Sequence, residues 1–184
     1  MNTLRRSFRD TAETIIAAVV IFVALQATTQ SFEIDGRSMF PTLKDHQRLL
    51  VNRFVYAQSP VSLMGDDGYL FHSPQRGDVI VFRPPTNSST DFVKRVIGVP
   101  GDTVDIKDGE VFVNGELSTY VDDFTDDRRF FDYPIEIPPD EFFVLGDNRQ
   151  ASNDSRNWGY VHASDVVGRA WFLYWPTEAF TIFS

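Results

Sequence analysis

Asp91-Phe92-Val93-Lys94-Arg95-Val96-Ile97-Gly98-Val99-Pro100-Gly101-Asp102 decides the fold. As an extended chain with side chains alternating between two faces, it sets Phe92, Lys94 and Val96 on one side and Val93, Arg95 and Ile97 on the other. Both sides are largely apolar, which is the pattern of a strand lying inside a sheet. A lysine within such a strand needs a reason.

Outward from this strand the same grammar repeats. On its amino side, Arg76-Gly77-Asp78 turns into the short apolar run Val79-Ile80-Val81-Phe82. The tripeptide Arg-Gly-Asp has an adhesion reading, but it abuts a core strand, and a turn is the better one. Earlier still, Leu49 to Tyr56 reads as a strand, and residues 57–75 as a long surface loop lying near a membrane or over a cleft. On the carboxyl side, Thr103 to Ile106 and Val111 to Val113 are joined by Asp108-Gly109, and Asn114-Gly115 follows, giving two successive hairpin signals. A second variable loop covers about residues 116–140. Its acids Asp122, Asp123, Asp126, Asp127 and Asp132 do not follow calcium-loop spacing and read as a solvated insertion. Glu141 to Leu145 is a further strand, residues 146–159 form a polar loop, and Val166 to Pro176 is an aromatic-rich core strand with an interfacial aromatic edge as the alternative. Short strands punctuated by turns predict a mainly β, antiparallel, barrel-like or sandwich-like domain.

Bulk composition sets the limits. A chain of 184 residues with 42% hydrophobic residues builds one domain with appendages and a sizeable core, so disorder is not expected. Its net charge of −9 repels phosphates and argues against nucleic-acid binding. With no cysteine there is no disulfide, no thiolate metal site and no cysteine nucleophile, and the separated His46, His72 and His162 lack metal-ligand spacing. No cofactor is implied.

The amino end differs from the rest. Arg5, Arg6 and Arg9 precede an uncharged segment from Thr14 to Phe32, 19 residues that span ~28 Å as a helix, about the thickness of a bilayer core. Its second half is polar, so a single span, a cleavable signal peptide and a buried helix all compete. Residues near Ala24 to Thr29 match a cleavage site poorly, which favours an uncleaved anchor. The expected organisation is residues 1–13 in the cytoplasm, a span at 14–32, and a domain at 33–184 outside, as basic residues flank only the amino side. Beyond Phe32 the chain keeps 14 basic and 24 acidic residues, a balance of −10.

Of three lysines, Lys44 lies in a polar run, Lys107 on a hairpin turn, and only Lys94 inside an apolar strand. Burial disfavours the charged ammonium and lowers its pKa, so Lys94 is the one candidate base. A nucleophile to match it stands in Gly36-Arg37-Ser38-Met39-Phe40-Pro41-Thr42-Leu43, where Gly36 and Pro41 constrain the turn around Ser38. A Ser38–Lys94 dyad for acyl transfer follows. On Lys94 alone, a lysine that snorkels to solvent or pairs with an acid is the preferred reading, and Ser38 alone is a turn residue.

Four blocks together resemble type I signal peptidases: residues 36–43, 76–82, 94–102 and Gly146 to Gly159, in that order behind an apolar segment. The resemblance covers nearly the whole chain from Thr14 to Pro176. It implies that Ser38 is the nucleophile and Lys94 the general base, that Ser152 orients the Lys94 amine, and that Asp154 and Arg156 form a supporting ion pair. It implies also an extended substrate between the strand before Ser38 and that of Lys94, with Ile34, Met39, Leu43, Phe92 and Val93 at the positions of small apolar pockets, a form of strand addition. The implied reaction is removal of signal peptides from exported preproteins at Ala-x-Ala sites, on the outer face of a cell membrane or the lumenal face of an internal one, beside the translocation machinery. One position departs. Where some members carry a serine that donates to the oxyanion, this chain has Gly36, leaving the Ser38 N–H as the donor that the sequence supplies. Loss of one such donor costs ~100-fold or more in rate if nothing replaces it.

Two other families of reading compete. Self-cleaving repressor-type Ser-Lys proteases carry a DNA-binding module where this chain has its apolar segment. A membrane-tethered β domain that binds extended peptides without cleaving them would show the same motifs. A carboxylate hydrolase is the weakest reading, because the acids stand in loops without an apolar setting.

Overall fold

A computed structural model describes residues 2–57, 69, 71–86, 89–120 and 130–183. Helix α1 (Asn2–Thr28) leads without a break into strand β1 (Thr29–Glu33). Its window Thr11–Thr28 has a mean hydropathy of 1.8 over 18 residues, none of it buried, so the helix is apolar and long enough to cross a membrane and is not a core helix. The expected span at 14–32 is corrected at its end. Thr29 to Phe32 pair with Asn52 to Leu49 in an antiparallel ladder. Threonine and serine are poor helix formers, and the neighbouring strand offers their backbone groups partners that a fraying helix end does not.

Strands β2 (Arg48–Asn52), β3 (Val79–Phe82) and β4 (Phe92–Gly98) come next. A small sheet follows, built from β5 (Thr103–Lys107), β6 (Glu110–Val113), β7 (Glu116–Leu117) and β8 (Ile135–Glu136) in the order β7-β6-β5-β8. Its two tight turns place Asp108 and Gly109 at φ 52° and 85°, and Asn114 and Gly115 at φ 53° and 83°, the left-handed pairs that two-residue hairpins require. The chain then returns through β9 (Glu141–Leu145), helix α2 (Ser155–Trp158), β10 (Val161–His162), β11 (Val166–Trp175) and β12 (Thr181–Ile182). The large sheet runs β1-β2-β11-β3-β4-β9-β10, with β12 added on β11, and every pair in both sheets is antiparallel.

Strand β4 lies inside the large sheet between β3 and β9, as its two apolar faces require. All four residues of β3 are buried: Val79 and Val81 join Ile34, Met39, Leu43, Leu49, Val51, Ala170 and Leu173, while Ile80 and Phe82 join Tyr56, Val96, Phe142 and Val144. Each such side chain contributes roughly 1.5–3 kcal/mol by leaving water. A third cluster of Ile97, Val104, Val111, Ile137, Phe143 and Leu145 cements the small sheet to the large one.

Three local expectations change. The strand predicted for Leu49 to Tyr56 ends at Asn52, whose side-chain oxygen accepts from the N–H groups of Phe54 (2.9 Å) and Val55 (3.2 Å) and bends the chain. The loop predicted for about 116–140 contains β7 and β8, two-residue strands too short for a sequence pattern to reveal. Strand β11 is a core strand through Ala170 and Leu173, as expected, and it exposes Trp171 and Trp175 on its other face. Of the acidic insertion, Asp132 is exposed and Asp122, Asp123, Asp126 and Asp127 lie outside the described residues, as does most of the loop predicted at 57–75.

Candidate active site

The turn that carries Ser38 is clamped from both sides. Ile34 N–H donates to Gln47 O (2.8 Å) and His46 N–H to Ile34 O (2.9 Å), closing the loop at its base. Within it, Phe40 N–H donates to Arg37 O (3.1 Å) and Leu43 N–H to Met39 O (2.8 Å). Met39 and Leu43 point into the core and plug the turn there, while Ser38 stays half-buried at the rim of a cleft. The Asn148 N–H donates to Ser38 O (3.0 Å) and ties the turn to the loop after β9.

Lys94 comes from β4, directly opposite Ile80. It is 4% exposed, and its Nζ stands 2.8 Å from Ser38 Oγ and 2.8 Å from Val93 O, with the Phe92 ring centroid 5.3 Å away. Burial drives its pKa down from 10.5 to about 8, while the more distant carboxylates Asp154 and Asp147 pull it up. Among the described residues no carboxylate lies within ion-pair distance of Nζ. At pH 7 roughly one amine in ten is then neutral, against about one in 3000 at the ordinary value.

The cleft that opens onto both groups holds about 530 Å³ and is walled by Phe32 to Arg37 on one side and Thr90 to Val93 on the other, with Ala151 and Asn153 adding to the lining. Of the residues expected in substrate pockets, Ile34, Phe92 and Val93 line this cleft. Met39 and Leu43 do not: at 1% and 0% exposure they belong to the core cluster beneath it. Their place in the motif fits either role, and only the direction in which the turn is packed separates them.

The supporting loop is built around buried charge. Asp154 and Arg156 are both fully buried and meet through two bonds of 2.8 Å; Asp154 also accepts from Gly146 N–H (3.1 Å), and Arg156 donates to Arg149 O (2.7 Å). The α2 hydroxyl of Ser155 accepts from Val144 N–H (2.9 Å), so the loop is stitched to β9. Ser152 Oγ is buried and has no hydrogen-bond partner, so the expected bond to the Lys94 amine is not formed in this arrangement. It crowds Gly146: a Cβ there would stand 2.2 Å from Ser152 Oγ and 2.4 Å from Ser38 O. Only glycine lets these three segments approach so closely.

Gly36 has a φ of 92° and donates its N–H to Asp45 Oδ1 (2.8 Å). That N–H is therefore occupied.

The sequence reading missed the ion pair that follows Lys94 on the same strand. Arg95 grips Asp147 through Nε (2.8 Å) and Nη2 (2.6 Å), donates to Gly77 O (2.8 Å), and reaches Thr42 Oγ1 at 3.4 Å. It thus links the turn before β3, the Ser38 turn and the loop after β9. The signal was present in the sequence: an arginine on an apolar strand face needs a carboxylate, and Asp147 stands in the polar loop.

Comparison with known proteins identifies the family of the chain. The family described as signal peptidase, peptidase S26, matches residues 8–175. The signal peptidase I of Bacillus caldolyticus is 35% identical over 179 residues, covering 90% of this chain and 87% of that protein. The signal peptidase I of Leptolyngbya laminosa is 36% identical over 176 residues, covering 90% and 79%. A crystal structure of a signal peptidase I from Enterococcus faecalis V583 is 32% identical, with a TM-score of 0.44, and covers 53% of this chain and 97% of that one. The chain belongs to the signal peptidase family, peptidase S26.

Proposed function

We propose that this chain is a membrane-anchored serine endopeptidase that removes N-terminal signal peptides from exported preproteins, cutting after an Ala-x-Ala sequence by a Ser38–Lys94 dyad. The observation that carries the reading is the 2.8 Å separation of Lys94 Nζ from Ser38 Oγ, with an amine made partly neutral by burial, at the floor of an open cleft. The family and the names of the relatives supply the substrate class.

In this mechanism the neutral Lys94 amine takes the Ser38 hydroxyl proton as Oγ attacks the scissile carbonyl carbon. The carbonyl oxygen becomes an oxyanion facing the Ser38 N–H. As the intermediate collapses, the Lys94 ammonium returns its proton to the leaving amine, and the signal peptide stays as an ester on Ser38. Lys94 then removes a proton from water as it attacks the ester carbonyl, and on collapse of this second intermediate the ammonium returns that proton to Ser38 Oγ, so that the signal peptide leaves with a free carboxylate and both residues are restored. Ser152, buried and unpartnered, is the group we assign to steady the amine once substrate closes the cleft. The extended substrate lies between the Phe32 to Arg37 wall and the Thr90 to Val93 wall, with Ile34, Phe92 and Val93 contacting its small side chains.

The anchor is α1, with its arginine-bearing end in the cytoplasm and the β domain outside, where translocated chains emerge. The test is cleavage of a precursor bearing an Ala-x-Ala signal peptide by full-length protein in liposomes. Cleavage by wild type and its loss in Ser38→Ala and Lys94→Ala support the dyad. Undiminished cleavage by either variant refutes it, and a wild-type chain that binds the precursor without cutting establishes the non-cleaving reading.

A further inference from the structure

We propose that Tyr120 is a positioning residue for the Ser38–Lys94 dyad, acting through two arginines that rest on it; the inference builds on the dyad reading above and gives the small sheet a part in catalysis. The segments of the site come closest at Gly146, where a Cβ would stand 2.2 Å from Ser152 Oγ and 2.4 Å from Ser38 O. Gly146 and its neighbour Asp147 are held by two guanidiniums. Arg149 Nε donates to Gly146 O (3.2 Å), while Arg95 grips the Asp147 carboxylate and reaches Thr42 Oγ1 in the Ser38 turn (3.4 Å). Both guanidiniums then meet Tyr120. Arg149 Nη2 donates to its carbonyl oxygen (2.7 Å), and Arg95 Cζ stands 6.0 Å from its ring centroid, at the limit of cation–π range.

The ring is itself fixed. It lies against Gly77, where a Cβ would stand 2.7–2.9 Å from its Cε1, Cζ and hydroxyl atoms, and the hydroxyl donates to Arg76 O (3.3 Å). Gly77 O in turn accepts from Arg95 Nη1 (2.8 Å), so the ring, the guanidinium and the turn before β3 brace one another. Tyr120 reaches this place from the small sheet. It follows the end of β7 by three residues, and Ser118 N–H donates to Val111 O (2.8 Å) in β6, which pins the stem between them. The ring is 36% exposed and does not line the substrate cleft, so its contribution lies less in core packing or substrate contact than in restraining Arg95. Arginine is suited to this use, because its planar guanidinium packs on an aromatic ring while its donors stay engaged. Without the ring, Arg95 gains room to change rotamer, and the Ser38 turn and the Asp147 loop lose a fixed separation. A displacement of about 1 Å at a reacting group costs on the order of 100-fold in rate.

The test compares full-length Tyr120→Leu, Tyr120→Phe, Arg95→Met and the Tyr120→Leu/Arg95→Met double variant in liposomes, on a precursor bearing an Ala-x-Ala signal peptide, with thermal unfolding of the same samples. Tyr120→Leu is expected to lower kcat about ten-fold or more with KM within about two-fold of wild type, while Tm falls by no more than about 5 °C. Tyr120→Phe keeps the ring and should retain at least about half of the wild-type kcat. Arg95→Met should lower kcat by itself, and adding Tyr120→Leu to it should cost less than about two-fold more, because the ring acts through that guanidinium and the Tyr120 carbonyl is kept in every variant. A wild-type kcat in Tyr120→Leu, a loss that appears only where the variant unfolds, a rise in KM at unchanged kcat, a Tyr120→Phe chain as slow as Tyr120→Leu, or a full further loss in the double variant each overturns the proposal and leaves the dyad standing. A wild-type chain that does not cut, or that cuts equally well after Ser38→Ala, overturns the dyad reading and this role with it.

Discussion

The buried amine of Lys94 makes a prediction in which rate and stability run on the same proton. The folded chain holds this lysine at about 8 and the unfolded chain at 10.5, because burial penalises the ammonium. A general base, the role proposed for Lys94, works only when neutral. The kcat/KM for a precursor should therefore rise ten-fold per pH unit up to about 8 and level off above it, so that at pH 6 it is about one hundredth of the plateau. Stability follows with the opposite reference. Below pH 8 both states are protonated, and the folded one carries the whole penalty. Between 8 and 10.5 the folded state has shed a proton that the unfolded state still binds, so stability rises with pH, by about 3 kcal/mol in all. Lys94→Met keeps the length of the side chain without the charge. It should abolish cleavage while raising the unfolding midpoint at pH 7, by an amount that shrinks toward pH 10. Precursor cleavage in detergent or vesicles and thermal unfolding of the same samples measure both. A cleavage profile flat from pH 6 to 8, a midpoint near 10.5, or a Lys94→Met chain less stable than wild type at pH 7 would each refute the argument.

Three further substitutions test neighbouring claims. Ser152→Ala should lower kcat about ten-fold or more and move the pH midpoint, since a hydroxyl that steadies the amine acts through its protonation; unchanged kinetics with a gain in stability would make Ser152 an unpaired buried group and nothing more. Gly146→Ala places a Cβ 2.4 Å from the Ser38 carbonyl oxygen and must push the Ser38 turn, so kcat should fall on the order of 100-fold with KM little altered; a normal kcat would show that the turn tolerates displacement. Leu43→Ala, at a fully buried core position, should cost about 2–5 kcal/mol of stability with little effect on KM; a selective rise in KM at unchanged stability would return Leu43 to the substrate pocket.

Much of the fold was legible because it is written in short-range chemistry. The alternation in residues 92–97 marked an internal strand, and Asp108-Gly109 and Asn114-Gly115 marked turns that need two left-handed residues. The family resemblance carried by four motif blocks is likewise borne out over residues 8–175. Where the structure departs from or adds to these expectations, contacts between distant segments decide. The end of α1 is set by β2, because Thr29 to Phe32 find backbone partners there that hydropathy does not register. Met39 and Leu43 were assigned to the substrate, yet the turn packs them against Val79, Val81 and Leu173. The Arg95–Asp147 pair joins residues 52 apart and leaves no local periodicity to read.

Lys94 and Arg95 are neighbours on one strand, and the fold treats their charges in opposite ways. Arg95 is given a bidentate carboxylate, a carbonyl and a hydroxyl, so its charge is fully compensated. Lys94 is more deeply buried than Arg95, and its amine meets only neutral oxygens, Ser38 Oγ and Val93 O. A lysine retained for stability would be expected to have the carboxylate, because an unpaired buried charge is among the costliest features a core can hold. Asp147 and Asp154 are close enough to influence it, but each is committed to an arginine, Arg95 and Arg156. The two ion pairs therefore do more than stiffen their loop. By engaging the carboxylates nearest the amine, they keep it from acquiring a partner that would hold its proton, which favours the neutral form that a general base needs. Breaking either pair by removing its arginine should free a carboxylate beside Lys94 and shift the activity profile toward higher pH, an effect that a purely structural pair would not produce.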